Sequence, residues 1–189
     1  MSRLSGLYAI TDAALQQPEQ LPERVARAID GGARLVQYRD KSGDRAARLH
    51  QARVLAEVCR ARGALLIIND DAQLAADSGA DGVHLGRDDG DPAAARRRLG
   101  AGAIIGVSCY DQWSRALQAA EQGADYIAFD MRADAPDGGA DLTAWWAGPS
   151  ACHMLACLGA EVVHIEAIQR LDGMRMAGGM FYGMDQWWE

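Results

Sequence analysis

Short apolar runs of strand length, each closed by polar residues, alternate along this chain with stretches of helical spacing, and that rhythm constrains the fold more than any other feature. Leu7-Tyr8-Ala9-Ile10 closes on Thr11-Asp12, and Leu21, Val25, Ala26 and Ile29 then recur at helical intervals until Gly31-Gly32. Leu35-Val36-Gln37-Tyr38 runs into Arg39-Asp40-Lys41. Asp44 can cap the next helix, whose apolar stripe is Leu49, Ala52, Leu55, Ala56 and Cys59. The unit then repeats. Ala64-Leu65-Leu66-Ile67-Ile68 ends in Asn69-Asp70-Asp71 before a short helix near 72–78, and Val83-His84-Leu85 ends in Gly86-Arg87-Asp88-Asp89 before a helix opened by Pro92. Ala103-Ile104-Ile105-Gly106-Val107 ends at Ser108, a helix follows around 114–122, and a sixth strand is predicted from Ala124 to Phe129.

Alternating strands and helices imply a parallel sheet, and right-handed crossovers bring every strand's C-terminal end to the same side. Those ends carry Gln37, Arg39, Lys41, Asn69, Asp70, Asp89 and Ser108. Side chains alternate faces along a strand, so Gln37, Arg39 and Lys41 share one face while Val36 and Tyr38 share the other. A doubly wound open sheet has the same rhythm, but polar groups after nearly every strand fit a barrel mouth better than a single crevice. The predicted class is α/β, a parallel (β/α) barrel of TIM type with about six strand-helix units.

Composition narrows the function. A formal net charge of −7 disfavours a general nucleic-acid or anionic-membrane surface, so a phosphate-bearing ligand must be met by a local basic cluster or a metal ion. Cys59, Cys109, Cys152 and Cys157 have no zinc-ligand spacing, no apolar run approaches a membrane span, and the first residues form no signal-peptide core. A reducing cytoplasm is the expected compartment. Individual residues allow more than one use. Asp70 and Asp89 can be helix N-caps following strands, His84 reads as a packed or hydrogen-bonded barrel residue, and Cys109 reads as structural.

Six motifs in order resemble thiamine-phosphate synthase, over about residues 4–129: Leu7 to Asp12, Val36 to Lys41, Ile68-Asn69-Asp70, Gly82 to Asp89, Ile105 to Cys109, and Gly123 to Tyr126. The resemblance implies that Gln37, Tyr38, Arg39, Asp40, Lys41, Asn69 and Ser108 bind an aminopyrimidine diphosphate and that Asp70 and Asp89 ligate Mg²⁺. It also implies that Lys41 and Arg39 act catalytically on the leaving diphosphate. That division suits the chemistry, because displacing diphosphate requires fixed cations and a hard metal ion where negative charge accumulates. The second substrate would be a thiazole phosphate. Arg87 stands where the family usually has glutamine, and a cation there can compete with a metal for Asp89.

After Phe129 the resemblance stops. The threonine-lysine-threonine segment and glycine-rich phosphate loops that the family would place there are not found, and residues 131–140 have the composition of a linker or junction. Residues 141–189 resemble the start of a family III CoA-transferase, without that family's catalytic aspartate. The expected organisation is therefore a partial barrel over 1–130, a junction over 131–140 and a CoA-transferase-like fragment over 141–189. A helix near 148–158 and a strand over 161–165 could supply a surrogate seventh unit. Closure needs matched tilt and shear, so an open barrel with an exposed edge, prone to self-association, is the expectation. The tryptophans at 145, 146, 187 and 188 are candidates to cover that edge. The leading expectation is thiamine-phosphate synthesis. A non-catalytic barrel binding only the pyrimidine diphosphate is the alternative, and a CoA-linked protein is a distant third.

Overall fold

The strands run parallel in the order β6-β5-β4-β3-β2-β1-β7, so the first six, taken in chain order, wind as a half-barrel. They are β1 (Leu7–Ile10), β2 (Ala33–Tyr38), β3 (Leu65–Asn69), β4 (Gly82–Leu85), β5 (Ile104–Ser108) and β6 (Tyr126–Ala128), with β7 at Ile165–Ala167. Between them lie α1 (Leu21–Asp30), α2 (Arg45–Ala61), α3 (Ala72–Ser78), α4 (Pro92–Leu99) and α5 (Trp113–Glu121). This is a computed structural model; it describes residues 4–13, 17–110 and 112–128, and the backbone of 165–167.

Helix starts follow local chemistry. The Asp44, Asp71 and Asp91 side chains accept from Ala47, Leu74 and Ala93 N–H groups at 3.0, 2.8 and 2.9 Å, each satisfying an orphan donor worth about 1 kcal/mol. The caps of α3 and α4 are therefore Asp71 and Asp91, which leaves Asp70 and Asp89 available for other work. A Gly-Ala-Asp sequence recurs at the strand entries. Gly79 and Gly123 sit at φ +71° and +83°, where glycine alone is unstrained, and turn the chain toward the next strand. Asp81 and Asp125 then accept from the Leu66 and Ile105 N–H groups at 2.9 and 2.7 Å, tying each new strand to its neighbour.

The two faces of the sheet differ in chemistry. Val36, Tyr38, Leu66, Ile68, Val83, Leu85 and Ile105 pack against Leu21, Val25, Leu55, Cys59 and Leu74 of the helices in the main core. Fully burying each of the larger of these aliphatic side chains contributes about 1.5–3 kcal/mol. The inner face has an apolar floor of Tyr8, Leu35, Ile67 and Ile104, and above it come Gln37, His84 and Ser108. Gly106 makes room there. A Cβ at 106 would fall on the Tyr126 ring, and a Cβ at 82 would fall on the Ile104 backbone.

β7 bears on the surrogate seventh unit that a strand over 161–165 could supply. Within the described residues the strand covers Ile165–Ala167 and pairs with β1, matching Tyr8 to Ile165, Ala9 to Glu166 and Ile10 to Ala167. It takes the place of a closed barrel's last strand, satisfying the backbone groups of β1 on the side away from β2. The expected junction at 131–140, the helix near 148–158, the four paired tryptophans and the CoA-transferase-like segment apart from 165–167 lie outside the described residues.

Candidate active site at the mouth of the half-barrel

Two carboxylates and two cations meet where β2, β3 and β4 end. The Asp70 carboxyl is raised above its ordinary value first by burial, then by a hydrogen bond and charge repulsion from the Asp89 carboxyl, with Lys41 and Arg39 opposing the rise. Lys41 Nζ lies 3.7 Å from Asp70 Oδ2. Asp70 has φ +67°, a region non-glycine residues rarely occupy, and its N–H donates to the His84 carbonyl at 2.8 Å. The backbone thus holds an unfavourable geometry that turns the Asp70 carboxyl toward Asp89. Asp89 is fixed in turn, because its Oδ2 accepts from the Gly86 N–H at 2.8 Å. A Cβ at 86 would lie 2.7 Å from that same oxygen, so this approach requires glycine.

Beneath this charged rim, five inner-face side chains form one hydrogen-bonded chain. Gln37 Nε2 donates to the Tyr8 hydroxyl at 3.0 Å, and Tyr8 and Tyr126 share a hydrogen bond at 2.8 Å. The Tyr126 hydroxyl meets His84 Nδ1 at 2.9 Å, and His84 Nε2 meets Ser108 Oγ at 2.8 Å. The His84 and Tyr126 rings also stack, with centroids 5.5 Å apart. Burial pushes His84 down to about 4, against a smaller upward pull from Asp89, so the ring is neutral at physiological pH. Burial likewise lifts Tyr8 to about 12 and Tyr126 well above its ordinary value. All three rings act as neutral hydrogen-bonding groups.

The loops around the mouth are pinned from outside. Arg115 on α5 donates through Nε to the Ser108 carbonyl at 2.7 Å and through a terminal nitrogen to the Gly86 carbonyl at 2.8 Å. One guanidinium thereby fixes the ends of β4 and β5 together. The buried Thr11 accepts from the Arg39 N–H at 3.0 Å, and its own N–H donates to the Gln37 carbonyl at 2.9 Å.

Of the residues singled out in the sequence, Gln37, Arg39, Lys41, Asn69, Asp70, Asp89 and Ser108 share the mouth or the inner face. Tyr38 and Asp40 do not join them. Tyr38 is packed in the helix-side core, and its hydroxyl donates toward Asp40 Oδ2 and Gln51 Oε1 at 3.1 and 2.9 Å. Burial alone would raise the Asp40 carboxyl. The Ser42 N–H, the Tyr38 hydroxyl and Arg48 outweigh it and hold Asp40 below the usual carboxylate range, as an organiser of the loop after β2. Arg87 lies 4.7 Å over the Tyr110 ring. Cys109 is buried, with Sγ 3.7 Å from the Val107 carbonyl, and its thiol is pushed up by burial, in keeping with a structural part. No three metal-ligating His, Cys, Asp or Glu side chains cluster among the described residues, so the Asp70–Asp89 pair is the candidate metal position.

A parallel half-barrel with acidic and basic groups converging at its C-terminal mouth defines an α/β fold of TIM type. The family model described as thiamine monophosphate synthase matches residues 7–168, and the chain belongs to that family. Curated relatives include the thiamine-phosphate synthase of Chromobacterium violaceum, 59% identical over 127 residues, which are 67% of this chain and 61% of that protein. That of Nitrosococcus oceani is 52% identical over 128 residues, covering 68% of this chain and 59% of its own length. The match thus spans about 60% of the length of these relatives. Among solved structures, thiamine phosphate pyrophosphorylase from Pyrococcus furiosus superposes with a TM-score of 0.65 at 28% identity, over 88% of this chain and 75% of that one.

Proposed function

We propose that the mouth binds an aminopyrimidine diphosphate together with Mg²⁺, and that the protein transfers the pyrimidylmethyl carbon to the ring nitrogen of a thiazole phosphate, releasing diphosphate. One observation carries this reading: the Asp70 and Asp89 carboxyls interact closely enough to raise Asp70, opposed by Arg39 and Lys41, with Lys41 3.7 Å from Asp70. Two carboxylates in contact call for a proton or a cation between them, and hard oxygen donors suit Mg²⁺, which typically takes one or two protein carboxylates and completes its shell with phosphate oxygens and water. The bound ion would neutralise charge on the departing diphosphate.

The protein's own groups do the remaining work. The Lys41–Asp70 pair is long, and the Lys41 side chain is 65% exposed, so Lys41 gives up that contact at little cost and turns to an incoming diphosphate. Arg39 has its backbone fixed by Thr11 and presents a planar guanidinium suited to phosphate oxygens. Gln37, Asn69 and Ser108 line the wall that meets the pyrimidine and its diphosphate. In the reaction the carbon–oxygen bond to diphosphate breaks, the leaving group keeps the electron pair, and the thiazole nitrogen forms the new carbon–nitrogen bond. No protein nucleophile is required, and orientation of the two substrates supplies the main advantage.

A second reading, binding of the pyrimidine diphosphate without turnover, is favoured by the match covering about 60% of each relative's length. A coupled assay with both substrates and Mg²⁺, beside a titration with the pyrimidine diphosphate alone, separates the two. Turnover like that of a full-length relative supports the transferase, and saturable binding without product supports the binding protein. No binding at all removes both. The partners proposed are these small molecules, in the cytoplasm. Self-association is proposed through β6, the outermost of the described strands, beside which α5 exposes Trp113 and Leu117. None of the described helices is long and apolar enough to cross a membrane. The CoA-linked reading rests on the likeness of 141–189 alone, and an unchanged melting temperature with CoA would remove it.

A further inference from the structure

We infer that the inner-face chain Gln37–Tyr8–Tyr126–His84–Ser108 is a polarity relay: the direction in which Gln37 engages Tyr8 sets the tautomer of His84 and thereby whether Ser108 offers a proton or a lone pair to the ligand. The inference rests on the proposed function for what the ligand is, but the relay is a property of the protein alone. Each hydroxyl has one proton, and a neutral imidazole has one N–H, so donors along the chain must all point the same way. Gln37 Nε2 can only donate, and it faces the Tyr8 hydroxyl. Tyr8 then donates to Tyr126, Tyr126 donates to His84 Nδ1, and the His84 proton resides on Nε2, donating to Ser108 Oγ. Ser108 is left with its own proton free for the mouth, and the Gln37 Oε1 lies outside the chain as an acceptor. That pattern, an acceptor at one end and a hydroxyl donor at the other, suits a molecule with an amino group at one end and acceptor-only phosphate oxygens at the other.

The reversed chain is equally closed. If position 37 accepted from Tyr8, each bond would invert, His84 would carry its proton on Nδ1, and Ser108 would spend its proton on Nε2. Intermediate arrangements leave an inner-face donor or acceptor unmet and are disfavoured. Tyr8, Tyr126 and His84 are therefore positioning residues, acting on the ligand through Gln37 and Ser108.

The test is ring-nitrogen NMR of ¹⁵N-histidine-labelled full chain without ligand, with His84 assigned among the four histidines by its loss in His84→Gln. The native chain is expected to show the Nε2–H tautomer, Gln37→Glu the Nδ1–H tautomer, and Tyr126→Phe a mixture. Native Nδ1–H, or a tautomer indifferent to both substitutions, overturns the relay. A second arm measures Mg²⁺-diphosphate affinity. Ser108→Ala is expected to lose about tenfold, as for one hydrogen bond to a charged group. Tyr126→Phe should lose severalfold, and the double variant no more than Ser108→Ala, whereas multiplicative losses overturn the relay. If the tautomers behave as stated but diphosphate does not bind to the native chain, the proposed function fails and the relay stands. Should one variant not fold, the remaining variant's tautomer decides.

Discussion

Lowering the pH should unfold this protein in part through His84. In the folded chain burial holds the ring neutral down to about 4, whereas the unfolded chain takes up that proton near the ordinary value of 6.5. Between those values the unfolded state binds more protons, so His84's contribution to stability is complete above pH 6.5 and is lost as pH falls toward 4. The separation of the two values corresponds to about 3 kcal/mol, a large share of a domain's typical total. The Asp70 carboxyl, raised by burial and Asp89, works in the opposite direction. It is present with or without His84, so a comparison with His84→Gln cancels it. The assay is urea unfolding of both proteins, without metal, at several values from pH 7 to pH 4. The stability difference between native and variant chains should shift by about 3 kcal/mol across that range, against the native chain at the acid end. A difference constant with pH would refute the assignment of a buried, neutral imidazole.

Asp70→Asn removes the repulsion with Asp89 and places at φ +67° a residue more at home there. Metal-free stability should hold or rise by up to about 1 kcal/mol, while the rise in melting temperature with Mg²⁺-diphosphate disappears. A retained ligand shift would count against the carboxylate pair. Gly106→Ala drives a Cβ into the Tyr126 ring and breaks its contacts with Tyr8 and His84. The expected loss is about 2–5 kcal/mol by equilibrium denaturation, combining overpacking with unmet buried polar groups, and a loss below about 1 kcal/mol would contradict that packing.

The strands were legible because each pairs an apolar run with a polar closure, so β1 and the core of β2, β3, β4 and β5 fall where the hydrophobic pattern puts them. The charged rim was legible for a related reason: Arg39, Lys41, Asp70 and Asp89 all follow strands, and parallel topology carries every such end to one side. The inner chain was not. Tyr8 and Tyr126 are 118 residues apart, and only sheet register, with the space left by Gly106, brings their hydroxyls together. Arg115 was missed because a single arginine on a helix face carries no sign that it reaches two carbonyls on neighbouring loops. The partner of β7 was not legible either, because hydrophobicity marks a strand without saying that it will pair with β1.

The most direct measurement is isothermal titration of the chain with the aminopyrimidine diphosphate, with Mg²⁺ and again with the metal chelated. The account predicts saturable binding with Mg²⁺ that collapses on chelation and in Asp70→Asn. Equal affinity with and without Mg²⁺, or no binding in either, would contradict it.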